Sequence, residues 1–130
     1  MNSELLKQLR MVFEAFNEIK LVYFFGSRAN GAAGPLSDYD FAVYLDETDQ
    51  EKLFELKLKL LKELSRILTT DSIDLIILNN AESPELKYNI IKNGQLLFER
   101  EPYRIILEPR ILNEYFDFHY MLKKYHLTKA

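Results

Sequence analysis

Two aspartates lie two residues apart, and a Gly-Ser pair precedes them by ten residues. The pair is Gly26-Ser27, and the aspartates are Asp38 and Asp40. If Asp38 and Asp40 lie on a strand, both carboxylates point to one face with Cα atoms roughly 6.6 Å apart. Two such carboxylates repel each other, and a divalent cation removes the conflict. Oxygen ligands favour Mg²⁺ or Mn²⁺ over zinc or copper, so the pair predicts a divalent metal site.

A third aspartate, Asp74, lies inside an otherwise apolar run, Ile73 to Ile77. A charge within a core strand is costly unless it is paired or bound to metal. If this strand neighbours the Asp38 and Asp40 strand, three carboxylates converge. Two metals about 3.5–4 Å apart could then support an in-line displacement at a phosphorus atom. Asp74 could also accept the proton of an attacking hydroxyl. Asp71, at the start of the same strand, is an alternative third carboxylate.

The residues after the first predicted strand are suited to a phosphate group. Gly26 lets the backbone turn sharply and approach a ligand closely. Ser27 offers a hydroxyl and a backbone N–H where a short helix over 28–31 could begin, and helix starts favour phosphate oxygens. Arg28 could add positive charge against a triphosphate. Taken alone, each feature has a plainer interpretation as a turn residue or a solvent-facing aspartate; their order along the chain favours a catalytic site.

Helical and strand patterns alternate along the chain in an order typical of an α/β domain. Hydrophobic periodicity predicts the following elements: helices over 4–19, about 48–68, 83–94 and the segment 102–125, and strands over 20–25, 39–45, 72–78 and 95–99. Thr48 and Glu51 have the spacing of a capping box, whereas Ser83 and Pro84 have that of an N-cap and first helical residue. Pro109 interrupts the last helical pattern. The sequence predicts one domain, 1–130, with a small mixed sheet flanked by helices.

Composition excludes several functions. The 130 residues contain no cysteine and two histidines, so thiol nucleophiles, disulfides and three-histidine metal sites are ruled out. The net charge of −3 argues against a strongly basic nucleic-acid surface, and we expect no direct nucleic-acid binding. We see no secretory signal and no apolar run long enough to span a bilayer, so we expect a soluble cytoplasmic protein without membrane contact.

Gly26-Ser27-x10-Asp38-x-Asp40 resembles the signature of the DNA-polymerase-β-type nucleotidyltransferase superfamily. The run from Gly26 to Leu45 is similar in particular to the minimal nucleotidyltransferase (MNT) group. The resemblance covers about residues 20–80. It implies two Mg²⁺ ions bound by Asp38, Asp40 and Asp74, and phosphates of an NTP contacted by Gly26 and Ser27. The reaction it implies is transfer of a nucleoside monophosphate to a hydroxyl.

The resemblance also implies a partner. Many MNT proteins are antitoxins of a HEPN-domain ribonuclease, which they neutralise by transferring AMP from ATP to a tyrosine hydroxyl. Two alternatives remain: an antitoxin that acts by stoichiometric binding without catalysis, and a transferase for a small molecule such as an antibiotic. In the C-terminal segment, the helical stripe that includes Tyr115 and Phe116 is expected to be core. Phe118 and Tyr120 fall off that stripe and are candidates for a partner interface.

Overall fold

The computed structural model describes residues 1–29, 31, 34 and 38–125, and its elements follow the predicted order. They are the following: α1 Ser3–Ala15, β1 Ile19–Phe25, β2 Tyr39–Leu45, α2 Gln50–Leu68, β3 Ile73–Ile77, α3 Pro84–Asn93, β4 Gln95–Glu99 and α4 Tyr103–Lys124. A single 3₁₀ turn, Leu78–Asn80, follows β3. All four strand predictions are confirmed to within a residue at either end.

The strands form one sheet in the order β3-β2-β1-β4. β1 pairs antiparallel with β2 on one side and with β4 on the other, and β2 pairs parallel with β3. The parallel pair is joined through α2, as a crossover connection requires. The fold is therefore an α/β fold with a small mixed sheet flanked by helices, as the sequence predicts.

Apolar side chains cover both faces of the sheet. On one face, α1 and α2 pack through Phe13 and Leu60 against alternate strand residues such as Phe41 and Val43. On the other face, α3 packs through Ile90 against a second cluster to which α4 contributes partly buried residues. Because β1 lies between these two layers, nearly all of it is buried. The alternation along β2 consequently sends its odd-numbered residues to the α1 and α2 face and its even-numbered residues to the α3 and α4 face.

Helix caps explain where α2 and α3 begin. The predicted capping box at Thr48 is wrong, since Asp49 is the N-cap of α2 and its Oδ1 accepts hydrogen bonds from the backbone N–H groups of Glu51 (2.9 Å) and Lys52 (3.3 Å). An aspartate one residue nearer the helix also suits the positive end of the helix dipole. The predicted cap of α3 is confirmed: the Ser83 hydroxyl accepts from the backbone N–H of Leu86 at 3.2 Å.

Two helices differ from their sequence patterns: α1 in where it ends, and α4 in its continuity through a proline. α1 ends at Ala15, four residues before the end of the helix predicted over 4–19, because the chain turns toward β1 there.

α4 continues through Pro109 instead of breaking at it. A proline inside a helix costs about 3 kcal/mol, but its neighbour Glu108 is held to the sheet, accepting from the Tyr23 hydroxyl at 2.6 Å and from Arg104 Nε at 3.0 Å. These contacts hold the first turns of α4 in place.

The aromatic residues of α4 are distributed differently from the predicted stripe. Tyr115 stacks on Tyr88 of α3 with ring centroids 3.8 Å apart, as a packed residue should. Phe116, expected in the core, is 58% exposed, whereas Phe118, expected off the core face, is half-buried. Tyr120 is exposed as predicted. Neither α4 nor any other helix in the described part of the chain combines the length and apolar character needed to cross a membrane.

Arg100, directly after β4, ties the end of α1 to the sheet. Its guanidinium group donates to the backbone carbonyls of Glu14 (2.9 Å), Phe16 (2.9 Å) and Ile19 (2.6 Å). Carbonyls at the end of a helix have no partner within the helix, so one side chain here satisfies several of them. We expect Arg100→Ala to lower the free energy of unfolding by about 2–3 kcal/mol, measured by urea denaturation.

The matched control is Arg66→Ala, which removes an exposed ion pair of 2.7 Å with Glu63. An exposed pair of this kind contributes about 0–1 kcal/mol. Arg100→Lys should recover little of the loss, since an ammonium group lacks the planar fork that reaches several carbonyls together. If the alanine variants of Arg100 and Arg66 lost equal free energy of unfolding, Arg100 would not hold the end of α1 to the sheet.

Candidate active site

The ends of three strands meet at one edge of the sheet. β1 ends there at Phe25, and β2 and β3 begin there. The pairing register sets Phe25 opposite Asp40, and Asp40 opposite Asp74. Asp38 precedes β2 by one residue. The two residue positions on which the predicted convergence depends, Asp40 and Asp74, are therefore direct neighbours on adjacent strands.

Gly26 lies against the carboxylate of Asp40. Its φ of +80° is a conformation that glycine adopts readily and other residues rarely do. A Cβ atom built on Gly26 would overlap Asp40 Oδ2, so a side chain at this position would displace the carboxylate. Glycine is required here both for the turn that leaves β1 and for the close approach of the backbone to Asp40.

The charges of Asp38 and Asp74 act on the carboxylate of Asp40. Asp38 and Asp74 are exposed, whereas Asp40 is half-buried between them. Burial raises the pKa of Asp40 above its ordinary value, and the negative charges of Asp74 and then Asp38 raise it further. Asp71 does not contribute to this shift; it lies exposed in the turn before β3, where its carbonyl accepts from the backbone N–H of Ile73 at 2.8 Å. Of the two candidate third carboxylates, Asp74 is the one whose charge acts on Asp40.

Two features make this site suitable for a metal ion: its carboxylate oxygens and the repulsion between its negative charges. Carboxylate oxygens are the ligands that Mg²⁺ prefers, and a cation would relieve the repulsion that raises the pKa of Asp40. Within residues 1–29, 31, 34 and 38–125, the side chains as placed form no group of three or more acidic, histidine or cysteine residues that could hold a metal ion. The strand register brings the carboxylates to one edge without closing them into a coordination shell.

Arg28 packs on an aromatic ring at this edge of the sheet. Its guanidinium carbon is 4.2 Å from the centroid of the Tyr39 ring, which is a cation–π contact. Tyr39 belongs to the α1 and α2 face of β2, opposite to Asp40. Arg28 and Tyr39, with Phe24, also line a small cavity of about 140 Å³ near the start of α1.

The turn that carries Ser27 is attached to the far edge strand. Ser27, half-buried, and Ala29 lie in this turn; Asn30, within the short helix predicted over 28–31, is outside the described residues. Gln95, the first residue of β4, donates from Nε2 to the carbonyl of Ala29 at 3.4 Å. Sequence reasoning missed Gln95, because nothing in a five-residue edge strand indicates which loop its side chain reaches.

The comparisons with known proteins agree with this architecture. Residues 7–103 match the family model described as "Polymerase beta, Nucleotidyltransferase". No protein with a curated description matches the chain.

Solved structures share the fold over 95% of this chain and 94% of theirs. One is a toxin–antitoxin with AMP-PNP (TM-score 0.71, 22% identity). Another is a mutant of the MntA toxin–antitoxin pair (TM-score 0.71, 21% identity). In this mutant, glutamate replaces two aspartates that are two positions apart. A third is a tri-AMPylated Shewanella oneidensis HEPN toxin in complex with an MNT antitoxin (TM-score 0.66, 20% identity).

Replacing Asp40 should stabilise the metal-free protein. Because the pKa of Asp40 is raised in the fold, ionising it costs stability; the cost is absent below the ordinary aspartate pKa of about 3.9 and complete above the raised value. We expect Asp40→Asn to raise Tm by about 2–4 °C at pH 7. The difference should disappear as the pH falls below about 4, measured by calorimetry in the presence of EDTA.

The control for this variant is Asp117→Asn, an exposed aspartate on α4. A surface change of this type alters stability by no more than about 0.5 kcal/mol. A lower Tm for Asp40→Asn at pH 7 would contradict the charge conflict at the sheet edge.

Gly26→Ala should be more costly than the same change at Gly31. Both glycines have positive φ, 80° and 74°, but only Gly26 lies against another side chain in the described part of the protein. We expect a loss of about 2–4 kcal/mol for Gly26→Ala, from backbone strain plus overlap with Asp40, and about 1–2 kcal/mol for Gly31→Ala. Urea denaturation measures both values. Equal losses would mean that the contact with Asp40 is unimportant.

Proposed function

The chain belongs to the polymerase β nucleotidyltransferase family, and from this premise we propose that it is an antitoxin that transfers AMP from ATP to a tyrosine hydroxyl of a HEPN ribonuclease toxin. The observation that carries the proposal is the register of Asp40 with Asp74, beside Asp38 and against Gly26. An arrangement of three carboxylates next to a glycine turn is suited to phosphoryl transfer and has little structural value of its own, since it costs stability.

We assign roles to the residues as follows. The backbone at Gly26 and the hydroxyl of Ser27 hold the β- and γ-phosphates of ATP. Asp38, Asp40 and Asp74 would hold Mg²⁺, two ions by analogy with the family, which when bound neutralises the charge that develops on the phosphates. Arg28, whose guanidinium group packs on the Tyr39 ring, adds positive charge against the triphosphate.

The transfer step balances without any further reactant. The tyrosine oxygen attacks the α-phosphorus and forms a new P–O bond, while the bond from that phosphorus to the bridging oxygen breaks and pyrophosphate leaves. Asp74 accepts the proton of the hydroxyl and releases it to solvent. Since Asp74 is exposed, both the acceptor and the solvent can reach it.

Support for the nucleotide and the partner comes from proteins that share the fold. One of them is described with AMP-PNP, and another as an MNT antitoxin with an AMPylated HEPN toxin. A third carries substitutions in an aspartate pair with the same spacing as Asp38 and Asp40. At identities of 20–22%, these proteins establish the fold of our chain, and the donor, acceptor and partner are proposed from it.

One observation favours a second candidate, an antitoxin that acts by contact alone. α4 exposes large apolar side chains along its length, including Ile105 (75%), Phe116 (58%) and Tyr120 (63%). Apolar surface of this kind is typical of a protein interface. In that case the carboxylates would be dispensable for neutralisation.

The two candidates predict different outcomes for a double variant. With purified toxin, ATP and Mg²⁺, the wild-type chain should add adenylyl groups to the toxin, as detected by intact-protein mass spectrometry. Asp38→Asn with Asp40→Asn should abolish the addition and the neutralisation together. Asp74→Asn should slow the transfer by about 10²–10⁴-fold, the usual contribution of a general base.

Asp71→Asn serves as the matched control, because it neutralises an aspartate three residues from Asp74 that lies outside the site. It should change the rate by no more than about twofold. Neutralisation by the Asp38 and Asp40 double variant at wild-type level would contradict the catalytic proposal and support the contact mechanism.

A further inference from the structure

β3 is an open edge of the sheet. Within the described residues it pairs with β2 alone, so the backbone groups on its other side point away from the sheet. A groove of about 470 Å³ runs along this side. The groove is lined by residues 74–77 of β3, Asp74 among them, and by Gln50, Phe54 and Lys57 of α2, which form one wall. The groove therefore contains both unpaired strand backbone and one of the three carboxylates of the candidate site.

The two ends of this groove differ. At one end, Asn80 accepts a hydrogen bond from Gln50 Nε2 at 3.1 Å, so the start of α2 and the turn after β3 close it. At the other end, near the beginning of β3, Asp74 lies next to Asp40. A five-residue strand is about 16 Å long. An extended chain lying in the groove would thus reach from the closed end to the carboxylates.

The wall of the groove combines one exposed apolar side chain, Phe54, with two polar ones, Gln50 and Lys57. Exposed edges are commonly blocked by charged residues, proline or bulges, because they can pair with another chain. Here Phe54 is 61% exposed. Leu58, one turn further along α2 and outside the lining of the groove, is 51% exposed. Lys57 adds a positive charge beside them. A backbone edge flanked by apolar surface is the arrangement that binds an added peptide strand.

We propose that the acceptor polypeptide binds as an extended strand along β3, with apolar contact to Phe54, so that its hydroxyl is delivered to Asp74. This inference rests on the proposed transfer and specifies its substrate class: a polypeptide segment that can extend. A small molecule cannot form the ladder of backbone hydrogen bonds that the edge offers. Specificity would come from alternate side chains of the acceptor, of which one contacts Phe54 and another presents the hydroxyl.

Hydrogen exchange tests the docking step independently of chemistry. The wild-type chain is mixed with the cognate HEPN toxin without ATP, and amide exchange is followed by mass spectrometry. Strand addition should slow the exchange of the β3 amides by at least about tenfold, since new hydrogen bonds must open before exchange occurs. Unchanged β3 exchange in a formed complex would overturn the proposal. Slow β3 exchange that depends on the concentration of the chain alone would instead indicate pairing between two copies, and would overturn it too.

Substitution of Phe54 provides the second measurement. Because this side chain is exposed, Phe54→Asp should fold normally, and it should weaken toxin binding by about tenfold or more. ATP affinity should be unchanged. The control is Ile105→Asp, at an apolar residue of α4 that is more exposed than Phe54 (75% against 61%). It should alter toxin affinity by no more than about twofold.

These measurements separate the two proposals. If the wild-type chain binds toxin through β3 but transfers no AMP, the proposed reaction fails and the docking surface stands. If it transfers AMP while Phe54→Asp leaves toxin affinity unchanged, or Ile105→Asp weakens it instead, the docking surface fails and the reaction stands.

Discussion

The repulsion between Asp40 and Asp74 is the constraint on which the functional interpretation of this fold depends. Parallel pairing of β2 and β3 sets the two residues directly opposite each other, and their side chains share a face because each strand alternates with a period of two. A slip of one residue would send the side chains of β3 to the wrong face and would also expose its core residues. The apolar packing of β3 against α2 therefore holds two like charges together.

The environment of Asp40 explains why its charge is costly. On the same face of β2, the next residue inward is Ala42, which is fully buried in the cluster with Leu78 and Ile90. Asp40 thus lies at the boundary between an apolar interior and the solvent at the sheet edge, and burial is the largest cause of its raised pKa. Gly26 completes this boundary from the other side by packing its backbone against the carboxylate. The ionised carboxylate of Asp40 therefore lowers the stability of the fold.

Much of this could be predicted from the sequence because it depends on local rules. Strand alternation predicts a common face for Asp38 and Asp40, although Asp38 lies one residue before β2. A helix between two strands predicts the parallel pair that brings in Asp74. The missed features depend on contacts between distant parts of the chain. The hydrogen bond between Tyr23 and Glu108 that holds α4 in place beside Pro109 joins residues 85 apart in sequence. The position of Arg28 over Tyr39 requires knowledge of how the turn after Gly26 folds back. Local pattern carries no information about either.

Asp74 lies on an edge strand. The proposed site of Asp38, Asp40 and Asp74 therefore adjoins the unpaired backbone of β3. On a central strand such as β1, a carboxylate would have paired strands on both sides and helices over its face, so an acceptor could approach only by displacing them. On β3, one side of the strand is unpaired among the described residues, and the exposed Phe54 of α2 lines the groove on that side. An unpaired edge strand is a risk for aggregation, which charged residues such as Asp74 and Lys57 reduce. The unpaired edge lies next to Asp74, and the neighbouring Asp40 carries a charge that lowers the stability of the fold. One function, binding and modifying an acceptor chain, accounts for both of these unfavourable features.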